Sequence, residues 1–299
     1  MELILATRKS ALAQTQTETV MKLLKDKENI DSKKLLVVTE GDKRLDVSLN
    51  KIGGKGLFTK DIEIALLEKR AHAAVHSMKD VPYEMGEDFE LIAMPEREDV
   101  RDVLVCSSGL KLDQLPNGAI IGTSSIRRAA QIKSIRNDLN IVPIRGNIDT
   151  RIRKIEDENL DGIVLAAAGL NRAGLNHHIS YHLPVDIMIP APAQGALALE
   201  IREDDSNMEE IISHIKDEMT EIQVAAERGF LRGVNGSCHI PIGAYWDVDG
   251  ENISLTGLYG DEEGNNLITK TISGKASEAR EIGLQLAKLI SKEYERYEG

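Results

Sequence analysis

Short apolar runs alternate with helix-length amphipathic segments through the first two thirds of the chain. The segments between the runs, such as 59–70 and 126–136, carry apolar residues at helical spacing. Strands that alternate with helices predict βαβ units and mainly parallel or mixed sheets. The predicted strands are 3–7, 35–40, 73–78, 91–95, 102–107, 119–124, 141–145 and 162–169.

The pattern changes in the last third of the chain. Helices are predicted near 208–234, followed by hairpin-like strands that Asp/Gly turns separate. These strands cover 240–248, 251–260 and 265–274, and a long helix is predicted at about 276–297. This part of the chain is predicted to form a smaller α+β domain.

Two segments of the α/β part have related sequences. Residues 4–14 and 120–131 both run from a strand, through a Thr/Ser/Arg turn, into a helix that bears Ala and Gln. They indicate two similar α/β lobes, although small residues that cap helices are common at any such turn. Residues 95–102 and 187–203 are the predicted crossings between the lobes, and two crossings would make a hinge.

Composition narrows the class of protein. Of the 299 residues, 41% are hydrophobic and 29% charged, as is typical of soluble globular proteins. Only 3% are aromatic and the net charge is -12, which argues against nucleic acid or an anionic membrane as a partner. With no leader-like segment, no apolar run long enough to span a membrane, and only two cysteines, we expect a cytoplasmic protein.

Arginines and hydroxyl side chains gather where predicted strands end. In open α/β sheets these ends face the ligand crevice, where helix N-termini and guanidinium groups bind anions. In an acidic protein the repeated placement predicts a ligand with several negative charges. Any single one of these arginines could equally be a surface charge that pairs with one of the 49 acidic residues. The residues concerned are Arg8, Ser10, Ser124, Ser125, Arg127, Arg128, Arg145, Arg151 and Arg172.

The segment 74–82 runs from an apolar strand into Lys79 and Asp80. A carboxylate at the end of a strand, beside arginines, could accept hydrogen bonds from N–H donors or stabilise a developing cation. An Asp before a turn is also a common turn former, and both interpretations stay open from the residues alone. His76, inside the apolar strand, is predicted to be a core histidine with a hydrogen-bond partner.

Two loops complete the candidate chemistry. The glycine-rich segment 50–67, with Lys51 and Lys55, is either a mobile basic flap or a plain surface loop. Cys238 lies in the open, polar setting of 235–243 and is a candidate reactive thiol. Cys106 lies in an apolar strand and is predicted to be buried. No metal-ligand pattern is found.

Eight motifs together resemble the hydroxymethylbilane synthase (porphobilinogen deaminase) family. In chain order they are ATRKS, GGKGLF, AVHSMKD, GTSSIRR, RGNIDTR, AAAGLNR, PAQGALALE and GSCHIPIG. The resemblance covers the chain from Leu3 to the C-terminal helix. It implies an α/β fold of two lobes with mixed sheets, like type II periplasmic binding proteins, plus a smaller C-terminal α+β domain. The implied domains are 1–95 with 196–215, 101–190, and 218–299.

The resemblance also implies the chemistry. The family joins four porphobilinogen molecules head to tail with loss of ammonia, and releases 1-hydroxymethylbilane. Cys238 matches the residue that holds a covalent dipyrromethane cofactor, and Asp80 matches the catalytic aspartate. Lys51, Lys55 and Phe58 match the lid. The implied cofactor contacts are Lys79, Asp80, Ser10, Ser124, Ser125, Arg127, Arg128, Arg145 and Arg151. The implied substrate contacts are Arg8, Ser10, Arg145, Arg151, Arg172 and Gln194. A monomeric, metal-free enzyme is expected.

Two rival interpretations remain at this point. The same two lobes could form a bilobal anion-binding module without chemistry, although such a module needs neither Cys238 nor a third domain. A relative that binds porphobilinogen without polymerising it is the other alternative, which the presence of Asp80 and the arginines disfavours. The segment 190–196 differs from the Val-Gly-Gln-Gly form associated with the family, and this weakens the assignment of Gln194.

Overall fold

The computed structural model describes residues 2–40, 59–236, 240–249, 251–261, 264 and 266–298. Four residues singled out by the sequence, Lys51, Lys55, Phe58 and Cys238, lie outside these ranges. No helix in the described ranges combines the length and apolarity that crossing a bilayer requires.

The chain divides into two compact units. The first unit contains residues 1–98 and 195–221, and the second contains residues 99–194 and 222–299. The boundaries at 98/99 and 194/195 fall inside the two predicted crossings. Because the second unit includes both an α/β lobe and the C-terminal part, the division into three domains stays a prediction.

The first unit is built on a mixed five-stranded sheet of order β2-β1-β3-β10-β4. Strand β1 is parallel to β2 and β3, whereas β10 is antiparallel to both of its neighbours, β3 and β4. Helices cover both faces: Leu24 and Ile212 pack on one, and Ile62 and Leu66 on the other. Its elements are β1 (Glu2–Arg8), α1 (Ala11–Glu28), β2 (Asp31–Val37), α2 (Lys60–Leu67), β3 (Ala73–Ser77), β4 (Phe89–Ala93), β10 (Leu197–Arg202) and α6 (Ser206–Ser213).

The α/β lobe of the second unit repeats this plan. Its sheet has the order β7-β6-β8-β5-β9, with β6 parallel to β7 and β8, and β5 antiparallel to β8 and β9. Position by position the order matches the first sheet, which confirms the two similar lobes. Its elements are β5 (Asp102–Val105), β6 (Ile120–Gly122), α3 (Ile126–Ile135), β7 (Asn140–Val142), α4 (Ile148–Asp157), β8 (Gly162–Ala166), α5 (Ala167–Arg172) and β9 (Tyr181–His182).

The C-terminal part of the second unit is an antiparallel sheet of order β11-β12-β13 packed against two helices. Phe230 and Leu286 fill the centre of its core. The α+β prediction is therefore confirmed. Its elements are α7 (Glu218–Gly233), which begins in the first unit, β11 (Gly243–Asp249), β12 (Asn252–Tyr259), β13 (Ile268–Lys275) and α8 (Ala279–Glu298).

Candidate active site

Asp80 lies at the end of β3, in a single 3₁₀ turn that spans Met78–Asp80. Met78 is buried, and its backbone N–H donates to the carbonyl oxygen of Ala196 at 3.0 Å, which carries the β3–β10 pairing one residue beyond the strand. Lys79 and Asp80 are both exposed. The turn therefore presents the Asp80 carboxylate to solvent from a buried, hydrogen-bonded base.

Arg8 and Ser10 lie at the same edge of the first sheet. Arg8 is the last residue of β1, which is parallel to β3, so the ends of both strands meet at this edge. Ser10 is the N-cap of α1, where its Oγ accepts a hydrogen bond from the N–H of Ala13 at 3.3 Å. The first unit thus groups Arg8, Ser10, Lys79 and Asp80, as the strand pattern predicts.

In the second unit, two serines shape the turn between β6 and α3. The Oγ of Ser124 donates to the carbonyl oxygen of Ile144 at 2.7 Å and accepts from the Ile144 N–H at 3.0 Å. Ser125 is the N-cap of α3 and accepts from the N–H of Arg128 at 3.4 Å. The two Ser124 bonds hold the turn against the chain that follows β7, directly before Arg145.

A buried carboxylate, Asp102, binds three of the predicted site residues. Its Oδ2 accepts from Arg127 Nη1 at 2.7 Å, and its Oδ1 accepts from Arg128 Nη2 at 2.7 Å and Gln194 Nε2 at 2.9 Å. Arg127 Nη1 also donates to the carbonyl oxygen of Ile189 at 2.6 Å. All four side chains are buried. The structure thus gives Arg127, Arg128 and Gln194 partners inside the protein, and their contact with a ligand stays a prediction.

The charges around Asp102 explain why it is ionised. Burial alone would raise the pKa of Asp102, but the positive charges and hydrogen bonds of Arg127 and Arg128 outweigh burial and hold that pKa far below its usual range. Sequence reasoning missed Asp102, whose only signal is an acidic residue at the start of an apolar strand.

Three arginines form a positive cluster at the strand ends of the second unit. Burial lowers the pKa of Arg151, and the positive charges of Arg128 and Arg145 lower it further. Arg151 Nε donates to the carbonyl oxygen of Gly146 at 2.8 Å, which fixes the guanidinium at the start of α4. Because Arg128 already pairs with Asp102, a bound anion would mainly offset the like charges of Arg145 and Arg151. The donor set suits carboxylates.

Arg172 ends α5, the helix that directly follows β8. Strand β8 is parallel to β6, and β6 is parallel to β7, so the residues that follow these three strands lie at one edge of the sheet. This edge carries Ser124, Ser125, Arg127, Arg128, Arg145, Arg151 and Arg172, as predicted from the sequence.

Two further predictions concern side chains in the core. His76 is buried and its Nε2 lies 2.8 Å from Oε2 of Glu200, which confirms it as a core histidine with a partner. Cys106 is buried, as predicted. Sequence reasoning did not single out Glu200, because it placed β10 within a crossing segment; the structure makes β10 an interior strand of the first sheet.

Family models and relatives cover nearly the whole chain. A model described as "Porphobilinogen deaminase, dipyromethane cofactor binding domain" matches residues 3–210, and one described as "Porphobilinogen deaminase, C-terminal domain" matches residues 221–292. A porphobilinogen deaminase of Clostridioides difficile is 56% identical over 301 residues, covering 100% of both chains. That of Clostridium beijerinckii is 54% identical, covering 97% of this chain and 98% of its own.

Solved structures with a similar fold are more distant. The methionine-binding protein MetQ is 13% identical with a TM-score of 0.45, over 76% of this chain and 94% of that chain. The BvgS VFT2 domain of Bordetella pertussis (a double mutant) is 11% identical with a TM-score of 0.42, over 75% of this chain and 92% of that chain. The family assignment rests instead on the sequence matches. On those matches, the chain belongs to the porphobilinogen deaminase family.

Proposed function

We propose that this chain is a hydroxymethylbilane synthase. It condenses four porphobilinogen molecules head to tail, loses ammonia at each step, and releases 1-hydroxymethylbilane on reaction with water. The observation that carries the proposal is the family match along nearly the whole chain. The first sheet has an exposed aspartate at its edge, and the second sheet has a positive cluster at its edge. These are the kinds of group that the reaction needs.

The arginine cluster accounts for binding of the substrate. Each porphobilinogen carries an acetate and a propionate, so the growing chain gains negative charge with every unit added. We assign binding of these carboxylates to Arg145, Arg151 and Arg172, with Arg8, Ser10 and Gln194 as further substrate contacts. Arginine suits this role because its guanidinium can pair with a carboxylate through two parallel hydrogen bonds.

Asp80 is assigned the catalytic role. As the protonated amino group of the aminomethyl substituent leaves porphobilinogen as ammonia, the methylene carbon and its pyrrole ring become cationic. The Asp80 carboxylate accepts a hydrogen bond from the pyrrole N–H and stabilises this positive charge. The α-carbon of the ring that ends the growing chain then forms the new C–C bond and loses its proton. Positioning and electrostatics are thus the main contributions of the protein.

The dipyrromethane cofactor is assigned to Cys238 through a thioether. When bound, it supplies the first nucleophilic α-carbon and anchors the growing chain. Its carboxylates suit the same basic and hydroxyl-bearing strand ends: Lys79, Ser10, Ser124, Ser125, Arg127, Arg128, Arg145 and Arg151. For Arg127 and Arg128 this requires guanidinium hydrogens beyond those given to Asp102 and to the carbonyl oxygens of Ile189 and Val164; an Arg side chain has five N–H donors.

The remaining assignments follow from the proposed reaction. Lys51, Lys55 and Phe58 are assigned to a lid that excludes water during condensation. The enzyme is also proposed to work in the cytoplasm as a monomer, without nucleic acid or membrane as partners; the low cysteine count and the net charge of -12 support the compartment and the absence of these partners.

The Cys238 assignment is tested by intact-protein mass spectrometry and peptide mapping after incubation with porphobilinogen. We expect an adduct of two linked porphobilinogen units on the peptide that contains Cys238. The Cys238→Ser variant should lose the adduct, and Cys106→Ser, which changes the only other cysteine, should keep it. A stable adduct in Cys238→Ser would move the attachment site to another residue.

The Asp80 assignment is tested by the Asp80→Asn variant, which keeps the shape of the side chain and removes its charge. We expect turnover of porphobilinogen to fall by at least about 100-fold, because the negative charge that stabilises the cationic transition state is lost. Asp88→Asn, an exposed aspartate of the same unit, is the matched control and should retain turnover. Equal turnover in the two variants would contradict the role of Asp80.

A further inference from the structure

A buried polar pair joins the two interior strands of the first sheet. Nε2 of His76, on β3, lies 2.8 Å from Oε2 of Glu200, on β10. Their side chains are 6% and 1% exposed, so the pair lies out of reach of substrate and solvent. Neither side chain has a role in the reaction proposed above.

Stability alone does not explain this pair. A buried ion pair or hydrogen-bonded pair often stabilises the folded protein no more than apolar side chains of similar volume would. Negative charge is also crowded here: burial raises the pKa of Glu63, on α2, and the carboxylate of Glu200 raises it further. A property that a polar pair has and an apolar pair lacks is directionality.

Directionality matters because most side chains of these two strands are apolar and make no directional contact. The paired segments, 73–77 on β3 and 197–201 on β10, are rich in Ala, Val, Leu and Ile, which can exchange positions across neighbouring strands. A shift of two residues would keep the same side chains on the same face of the sheet. In the observed register Glu200 is opposite Ala74 and therefore diagonal to His76. A shift that moves Glu200 away from His76 would leave a buried carboxylate unpaired, which is costly, whereas a shift the other way would bring the two residues opposite one another.

The register of β3 against β10 determines where the 3₁₀ turn begins. In the observed register Ser77 is opposite Leu197, and the N–H of Met78 donates to Ala196. Asp80 follows within the same turn, so a change of register would move its carboxylate.

We propose that His76 and Glu200 form a positioning pair that fixes β3 against β10 and thereby sets the place of Asp80. The inference rests on the proposed catalytic role of Asp80 for its effect on turnover. The effect on the strand pairing itself is independent of that role.

The test compares the double variant His76→Leu/Glu200→Leu, which replaces the pair with apolar side chains, with the single variant Glu200→Gln, which keeps a hydrogen-bonding group. We expect the double variant to melt no lower than the wild type, while kcat for porphobilinogen falls by at least about tenfold with little change in KM. Hydrogen–deuterium exchange should become faster in a peptide covering 73–82. In Glu200→Gln, both kcat and the rate of hydrogen–deuterium exchange should stay close to the wild-type values.

Wild-type kcat and unchanged exchange in the double variant would overturn the proposal. If the double variant does not fold, Glu200→Met takes its place; lost kcat in Glu200→Met but not in Glu200→Gln supports the positioning role, and equal kcat overturns it. Should the wild type not condense porphobilinogen, the proposed function fails. The exchange measurement would then still decide whether the pair fixes the strands.

Discussion

At the scale of single residues, Asp102 shows what tertiary structure adds to the sequence. Arg127, Arg128 and Gln194 can be singled out from motifs, whereas Asp102 is one of 49 acidic residues and precedes an ordinary apolar run. Only the fold brings these three side chains onto one buried carboxylate. The site residues at strand ends could be predicted because the βα pattern places them there, but their internal partners come from elements distant in sequence.

Replacing Asp102 with Asn should destabilise the protein by roughly 2–4 kcal/mol at neutral pH, because Arg127 and Arg128 would keep buried charges without an anionic partner. Chemical denaturation followed by circular dichroism measures the loss. Asp31→Asn is the matched control, since Asp31 pairs with Lys25 in an exposed ion pair and its loss should have little effect. Equal destabilisation by the two substitutions would contradict the importance of the buried cluster.

The same carboxylate predicts a dependence on pH. The folded-state pKa of Asp102 is lowered, so its contribution to stability is complete above the unfolded-state value of about 4 and is lost as pH falls below that value. Between pH 7 and pH 3 the stability of the wild type should therefore fall more steeply than that of Asp102→Asn. Parallel pH profiles of the two proteins would contradict a lowered pKa.

At the scale of elements, the sequence located most helices and strands but misplaced some ends. Strand β2 covers Asp31–Val37 rather than 35–40, because pairing with β1 recruits polar residues that a search for apolar runs leaves out. The run predicted as a strand at 162–169 ends at Ala166, and α5 begins there. Alanine suits both structures, so local pattern alone does not separate them.

Helices α7 and α8 approach each other closely at a glycine of each helix, Gly229 and Gly283. A Cβ placed on Gly283 would overlap the carbonyl oxygen of Ala226 and the backbone N of Phe230. Gly283→Ala should therefore destabilise the second unit by about 1–3 kcal/mol, since the helices would have to move apart. Thermal unfolding measures the change. Gly86→Ala, where the new Cβ would make only ordinary contacts with Phe89, should melt close to the wild type.

At the scale of the whole molecule, charge is distributed unevenly. The chain has a net charge of -12, yet Arg128, Arg145 and Arg151 lie close enough to lower the pKa of Arg151. The net charge predicts that polyanionic macromolecules are not partners, but it gives no information about a local site. The regular placement of arginines at strand ends carried that information.

Arg151→Gln should reduce kcat/KM for porphobilinogen by at least about tenfold, the equivalent of about 1.4 kcal/mol, because a charge-assisted contact with a substrate carboxylate is lost. Mass spectrometry during turnover should also show partly elongated chains accumulating on the protein. Arg153→Gln, an exposed arginine on the same helix, should turn over normally. Equal loss in both variants would indicate a general effect of charge rather than a specific contact.

The order of strands in the first sheet has a consequence for synthesis on the ribosome. Strand β10 separates β3 from β4, but it is made only after the whole α/β lobe of the second unit, whose last strand ends at His182. A nascent chain can therefore complete the second sheet before the first, reversing the usual N-terminal-first order. Until Leu197–Arg202 emerges, β3 offers an unpaired edge on which other chains could aggregate, and Asp80 has no fixed place.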